Sequence, residues 1–291
     1  MDDKDFLAQQ FEQHRGHLCA VAYRMLGSTS EADDAVQDTW LRLSGANAQE
    51  IENLGGWLTT VVARVCLNKL RSRSTRREES LDWHVPDPIV TAEGDMEPEQ
   101  EAVLADSVGL ALLVVLDALP PAERLALVLH DMFRVPFDDI APIVGRSSTA
   151  TRQLASRARR RVQGKAVDAP PDRARQRDVV DAFFAAARGG DLDALVAVLD
   201  PDVVLRSDVG GRPGSGVRRG AEAVAGQALM FSGANRVTHP AVINGEAGVV
   251  VTIAERVVAI MDFTVVDDRI VAIDALADPE RLSQLDLPAL S

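Results

Sequence analysis

The stretch from Leu119 to Val162, LPPAERLALVLHDMFRVPFDDIAPIVGRSSTATRQLASRARRRV, constrains this chain more tightly than any other. Leu125, Val128 and Leu129 give one helix an apolar stripe, and Ile140, Ile143 and Val144 give a second helix another. Gly145 supplies a sharp turn, and Ser147 or Ser148 stands where a third helix needs its cap. That third helix carries Arg152, Arg157, Arg159, Arg160 and Arg161, and no acidic residue occurs between Asp139 and Asp168. Helix, glycine turn and arginine-rich helix make the arrangement of a helix-turn-helix, whose second member lies in a DNA major groove. A plain helical hairpin with a solvated basic face has no need of the turn, the cap and the exclusion of acid together.

At 291 residues the chain has room for two or three domains with real cores. Hydrophobic residues at 46% and charged ones at 26% fit an ordinary soluble globular protein. No signal peptide is expected, and the apolar run Leu110 to Leu116 is far too short to cross a membrane. Cys19 and Cys66 both fall inside helical apolar patterns. They read as reduced core thiols in the cytoplasm rather than as a bridge or a metal site.

A net charge of −13 is unfavourable for binding DNA, since a duplex repels an acidic surface. The distribution resolves much of this. Between Glu52 and Glu78 every charge is positive (Arg64, Lys69, Arg71, Arg73, Arg76, Arg77), whereas from Arg77 to Arg124 the intervening charges are all acidic. Two basic patches thus alternate with acidic stretches.

The periodicity predicts the following order. Residues 1–76 form a helical unit, 77–105 an acidic, proline-containing linker, and 106–165 a second helical unit with the helix-turn-helix. Residues 166–173 are a short linker, 174–277 a small α+β domain, and 278–291 a tail. In the first unit Ala32, Val36, Trp40 and Leu43 share one helix face, with Asp33, Asp34, Gln37, Asp38 and Leu41 mostly on the other. The next helix is expected over Trp57 to Arg73, after an irregular, glycine-containing piece from Asn47 to Gly56. A loop leading into a basic helix suits a single-stranded nucleic acid. In the linker, Trp83, Val85, Ile89 and Val90 are apolar residues among prolines, which fits an extended segment burying a few anchors on another surface. Beyond Pro170-Pro171 the pattern turns to two helices and then β-branched runs, with Asn244-Gly245 a hairpin signal and Asp267-Asp268 a second turn. That order predicts a helix-backed, curved sheet.

Three segments carry a resemblance to a family: ADDAVQDTWLRL (Ala32 to Leu43), NLGGWLTTVVARVCLNKLRSR (Asn53 to Arg73) and the Leu119–Val162 stretch. In that order they resemble the core-binding segment, the −10 element helix and the −35 reading domain of bacterial sigma factors of the extracytoplasmic-function (ECF) group. The last domain resembles the SnoaL-like, NTF2-like cone that one sub-group of these factors carries. Three more features are similar to that sub-group: SLDWHVPDPIV in the linker, DVGGR (Asp208 to Arg212) and DPERL (Asp278 to Leu282). The fold class implied is two all-α sigma domains, the second a helix-turn-helix, followed by an α+β cone.

The resemblance implies roles by position. Asp33, Asp34, Gln37, Asp38 and Leu41 would dock on the β′ clamp helices of RNA polymerase core, with the second helical domain on the β flap. Asn53, Arg64 and Asn68, with the loop from Ile51 to Gly55, would handle the melted −10 strand, and Arg71 and Arg73 its phosphates. Ser147, Ser148, Thr149, Thr151 and Arg152 would enter the duplex at −35, with Arg157 and Arg159 nearer the backbone. Asp208, Gly210, Gly211, Arg212, Asp278, Pro279 and Leu282 would make regulatory contacts in cis, replacing a separate anti-sigma protein. Departures stand at Gly55, where relatives often have arginine, at Ser148, Thr149 and Thr151, and at Pro142, acceptable only near the first turn of its helix. No cofactor, metal, membrane or catalytic residue is expected, though an unidentified small ligand in the cone is. Asp208, His239, Glu246 and Asp262 are the acid–base residues an enzyme would draw on, and alternation between Met261 and Phe263 fits the outward face for Asp262 at least as well as the inward one. The alternative is a ligand-sensing DNA-binding regulator that works without polymerase; it has no use for the acidic helix face.

Overall fold

The computed structural model describes residues 3–46, 51–77, 84–92, 109–162, 172–212, 214–233 and 235–288. The chain divides into two compact units, residues 1–81 with 112–166, and residues 82–111 with 167–291. Trp83 and the linker stretches 93–108 and 163–171 lie outside the described residues. No described helix is long and apolar enough to cross a membrane.

The helical unit begins with α1 (Asp3–Leu26), α2 (Thr29–Ser44) and α3 (Leu54–Arg77). Ser28 caps α2 by accepting from the Glu31 N–H at 3.4 Å. Leu18, Met25, Leu43, Leu58 and Leu67 are buried between these helices, and Phe11 meets Trp40 with ring centroids 5.1 Å apart. The α3 helix starts three residues before the apolar period predicts, because Asn53 Oδ1 accepts the Gly56 N–H at 3.0 Å and draws both glycines into the first turn. Cys66 is fully buried, and burial pushes its thiol up to about 12. Cys19 is partly exposed; both thiols are free.

There follow α4 (Leu110–Asp117), α5 (Pro121–Leu127), a single π turn (Val128–Met132), α6 (Phe137–Val144) and α7 (Ser148–Val162). Gly145 ends α6 with a left-handed residue at φ 72°, which places α7 across it. Pro142 lies beyond the first turn of α6, against expectation. It is tolerated because the helix ends two residues later, and Pro142 and Asp138, whose carbonyl loses its partner, are both exposed. The guanidinium of Arg124 is buried, donating to the Met25 carbonyl at 2.9 Å and pairing with Asp117 at 2.8 Å. Arg24 lies 4.6 Å over the Phe133 ring. Paired or ring-stacked arginines therefore join the first three helices to the later ones, although Arg124 Nε is buried without a hydrogen-bond partner.

The second unit is a curved sheet backed by α8 (Arg173–Gly189), α9 (Leu192–Val198) and α10 (Ala221–Phe231). Its strands are β1 (Val90–Ala92), β2 (Leu199–Asp208), β3 (Gly216–Arg219), β4 (Arg236–Ile243), β5 (Glu246–Ile253), β6 (Arg256–Val266) and β7 (Arg269–Leu276), with a last turn of helix, α11 (Pro279–Leu282). The strand order is β1-β4-β5-β6-β7-β2-β3, antiparallel except for β2 beside β7. Asn244 and Gly245, at φ 50° and 89°, turn β4 into β5, and Asp267-Asp268 turn β6 into β7, both as expected. A third two-residue turn falls at Ala254-Glu255. On the helix-facing side Phe263 is fully buried with Phe183 and Phe184, each with its ring 5.7 Å away. The opposite side carries a second apolar cluster of Val90, Ala241, Ile243, Val250, Ile260, Leu276 and Leu282.

Candidate functional site

The α2 helix buries Ala32, Ala35, Val36, Thr39 and Leu43 and leaves Asp33, Asp34, Gln37, Asp38 and Leu41 exposed along one ridge. Leu41 is 61% exposed. A leucine left bare among carboxylates is a surface that a partner can dry. Lys69 approaches Asp34 at 3.5 Å, so one end of the ridge is partly neutralised.

On α3 the apolar positions Leu58, Val61, Val62, Val65 and Leu70 are buried, and Arg64 and Asn68 stand exposed one turn apart. Asn53 is also exposed, though its Oδ1 is committed to the cap. Arg73, expected to hold a phosphate, is already engaged within the fold. It donates to the Leu26 carbonyl at 3.0 Å and pairs with Glu31, tying α3 to the corner between α1 and α2. Arg71 is exposed.

The start of α7 is capped by Ser147, whose Oγ accepts from the Ala150 N–H at 3.2 Å. Ser147, Thr149 and Arg152 are exposed, and Ser148, half-buried, donates its hydroxyl to Asp138. Thr151 does not face outward: it is fully buried, with its hydroxyl on the Ser147 carbonyl at 3.0 Å. The face that turns outward beside Arg152 is Gln153 and Ser156, which the charge pattern did not single out. Arg157 and Arg161 both pair with the buried Glu123, at 3.0 and 2.6 Å. Arg159 grips Asp131 through two 2.6 Å bonds, which raises its pKa. Phosphates must compete with these carboxylates for the arginines.

Within the second unit, residues 84–92 of the linker lie along the sheet. Ile89 donates to Asn244 Oδ1 at 2.9 Å, and the Asn244 N–H returns to the Ile89 carbonyl at 2.9 Å. Val90–Ala92 then pair with β4. Of the expected anchors, Val85 and Val90 are buried and Ile89 is half-buried, and Pro86, Asp87 and Pro88 between them are buried as well. Arg281 fastens them: it donates to the Val85 carbonyl at 2.6 Å and to Asp208 Oδ2 at 2.7 Å, and pairs with Asp87. Asp208 also accepts the Val85 N–H at 3.1 Å. Of the expected regulatory residues, Asp208 is thus central, and Asp278 caps α11 and fits against Gly210, where a Cβ would come within 2.6 Å of the carboxylate carbon. Pro279 opens α11 and Leu282 joins the cluster around Val90. Gly211 is exposed with nothing near its Cβ position, and Arg212 points to a cavity rather than to the linker. The contacts to residues 84–92 come instead from Arg281 and Asn244, with Asp87 on the linker side, none of which the sequence singled out for this.

The sheet and helices enclose a cavity of about 400 Å3. The four acid–base candidates stand off its lining. Asp208, Glu246 and Asp262 are on the other side of the sheet, and His239 is bonded to Thr252 at 3.0 Å. A row in register crosses that side: Gly248, Asp262, Asp274 and Arg206 on β5, β6, β7 and β2. Arg206 holds Asp274 at 2.9 Å, whereas both Asp262 oxygens are buried without a hydrogen-bond partner. Burial first, and then the neighbouring carboxylates, push Asp262 well above the usual range, and Glu246 rises to about 7 for the same reasons.

Comparison with known proteins follows this geometry. Residues 10–76 match the family described as Sigma-70 region 2, and residues 109–162 match Sigma-70, region 4. The chain is 38% identical to the ECF RNA polymerase sigma factor SigJ of Mycobacterium tuberculosis over 297 aligned positions, covering 94% of this chain and 92% of that one. It is 33% identical to the probable ECF RNA polymerase sigma factor SigI of the same species, covering 98% of each. The crystal structure of M. tuberculosis SigJ superposes with a TM-score of 0.74 at 33% identity, over 97% of this chain and all of that one.

Proposed function

Because the chain belongs to the ECF family of RNA polymerase sigma factors, we propose that the α2 ridge is its docking edge for the polymerase clamp and that its C-terminal cone restrains it in cis. As a sigma factor it directs transcription initiation, binding RNA polymerase core and promoter DNA. The observation that supports the ridge is Leu41, exposed in line with Asp33, Asp34, Gln37 and Asp38. A single sign of charge along one face steers a basic partner, and a bare leucine gives it something to bury. A regulator acting without polymerase would gain nothing from this ridge.

In this reading the β′ clamp helices take the ridge and the β flap takes the α5–α7 domain. Arg64 and Asn68, with Asn53 at the cap, meet the single-stranded −10 element, and Arg71 its phosphates. Ser147, Thr149 and Arg152, joined by Gln153, read the −35 duplex. Arg157 and Arg159 reach the backbone only after leaving Glu123 and Asp131. The cone acts through residues 84–92: the peptide that joins the two DNA-binding modules is also an edge of its sheet, so their reach depends on whether that edge is held.

Reversing the ridge with Asp33→Arg and Asp38→Arg is expected to weaken capture of polymerase core at least about tenfold and to remove promoter-specific transcripts, with the helical content of the chain unchanged. Pull-down and run-off transcription read the two effects, and undiminished capture defeats the docking assignment. For the cone, a chain ended after Ala277 is expected to change transcript output from one promoter. Equal output from full-length and shortened chains counts against restraint in cis.

A further inference from the structure

The cavity inside the cone has a chemistry that promoter recognition does not use. Its interior is apolar, built from Phe183 and Phe184 on α8, Val224 on α10, Met261 on β6 and Ile273 on β7. Every ionisable side chain on the lining is an arginine: Arg188, Arg212 and Arg236. All three are exposed at the rim, and among the described residues none of them has an ion-pair partner. Arg236 is steadied over the Phe231 ring at 5.1 Å. Elsewhere the chain spends its carboxylates freely on arginines, as at Arg124, Arg157, Arg159, Arg206 and Arg281. In a protein of net charge −13, three arginines without carboxylates around one apolar opening are a local reversal of sign that attracts anions. On the wall between them the side-chain oxygen of Gln227 is buried without a hydrogen-bond partner, a group that is costly to leave unpaired and that a donor on a ligand would satisfy.

The wall is continuous in sequence with the residues that hold the strap formed by residues 84–92. Ser207 and Val209 line the cavity, and Asp208 between them holds Val85 and Arg281 from the other side of the chain. Ala275 and Ala277 line it too, and the Ala277 N–H bonds the Asp208 carbonyl at 2.7 Å, one residue before Asp278. A shift of the cavity wall at Val209 or Ala277 therefore moves a residue next to the strap's anchors.

We propose that the cavity binds an apolar organic anion, with its rings or chain among the phenylalanines and its acid group at Arg212 and Arg236, and that the 207–212 segment passes occupancy to the 84–92 strap. The acid group is read by charge-assisted hydrogen bonds, which are the strong ones. The hydrophobic body fills the space that Phe183, Phe184 and Met261 leave. The relay rests on restraint in cis as argued above; the binding site does not.

Two fluorescent probes with similar aromatic frames separate the terms: anilinonaphthalene sulfonate, an anion, and phenylnaphthylamine, which is neutral. Titrated against the full-length chain, the anion is expected to bind at one site about tenfold more tightly than the neutral probe. Arg212→Ala with Arg236→Ala, both at exposed positions, removes that preference and leaves the neutral probe bound. Ala228→Trp, which fills the cavity from α10, removes both. Equal affinities, or a preference that survives the double substitution, overturn the anion site, and anion binding that survives Ala228→Trp places it elsewhere and overturns the cavity. With the sulfonate saturating, hydrogen exchange at the Val85 and Ile89 amides is expected to change by at least about threefold; unchanged exchange overturns the relay. If the anion binds as expected while full-length and shortened chains transcribe equally, restraint in cis fails and the binding site stands.

Discussion

Replacing Arg281 with alanine releases the 84–92 strap, at a cost of about 3 to 5 kcal/mol to its attachment. The magnitude follows from what is left behind. Asp208 and Asp87 are buried carboxylates, and the guanidinium that bridges them is itself 16% exposed. Without it two buried carboxylates lose their shared guanidinium in a low-dielectric site, with the His84 ring nitrogen, 3.4 Å from Asp208, left beside them. The Val85 carbonyl loses its donor at the same time. Hydrogen exchange at Val85 and Ile89 is expected to accelerate on the order of a hundredfold, while amides in β5 and β6 keep their rates. Arg281→Lys restores the charge but not the fork that reaches Val85, Asp87 and Asp208 together, so it is expected to recover only part of the protection. Exchange unchanged in the alanine variant would show that β1 pairing and Asn244 suffice to hold the strap.

The cone is expected to be most stable in mild acid and to lose stability as the pH rises to neutrality. Asp262, Glu246 and Asp274 face one another across β5, β6 and β7, with Arg206 bonded to Asp274 alone. Burial is the largest cause of the upward shift at all three, and at Asp274 it outweighs the arginine. Each folded value therefore lies above its unfolded one, so the fold favours the protonated form. The stabilisation is fully present below the ordinary carboxylate range and drains away as the unfolded chain releases protons that the folded chain retains. For Glu246, moving from 4.5 to about 7 corresponds to roughly 3 kcal/mol lost across that interval, after which the curve levels. Asp262→Asn removes the buried acid of the row that has no hydrogen-bond partner and is expected to raise stability at neutral pH and to flatten the profile. Urea unfolding of the full-length chain, followed at Phe263 and Ile273 from pH 4 to pH 8, measures both. A midpoint that climbs through this interval contradicts the assignment.

The helices were legible because their cores repeat at helical spacing. The α2 face separates as the pattern predicts, down to exposed Leu41, and the capping serine and Gly145 punctuate α6 and α7 where expected. Polar residues that turn inward were not legible. Thr39 and Thr151 are buried because each hydroxyl bonds the carbonyl four residues back, at 2.8 and 3.0 Å, which costs the helix no partner. Arginines were read as charge available to DNA, yet Arg73, Arg157 and Arg159 are held by Glu31, Glu123 and Asp131, and sequence distance hides such pairs. Turns with Asn-Gly or Asp-Asp announced themselves, whereas Ala254-Glu255 reaches positive φ with residues that give no warning. The strap shows the same limit. Its apolar anchors stood out among prolines, but Arg281 lies 194 residues from Asp87, and within DPERL nothing in the sequence singled it out.

Residues 90–92 cover the outer side of β4, at one end of the sheet order. When they depart, the amide and carbonyl of Val242 and the Asn244 amide, which alternation along β4 turns toward them, become an open template for any extended peptide. Only Pro240, on the same strand, lacks an amide to offer. A freed factor is thus sticky along one border, and it must recapture its own segment, borrow a foreign strand there or risk self-association.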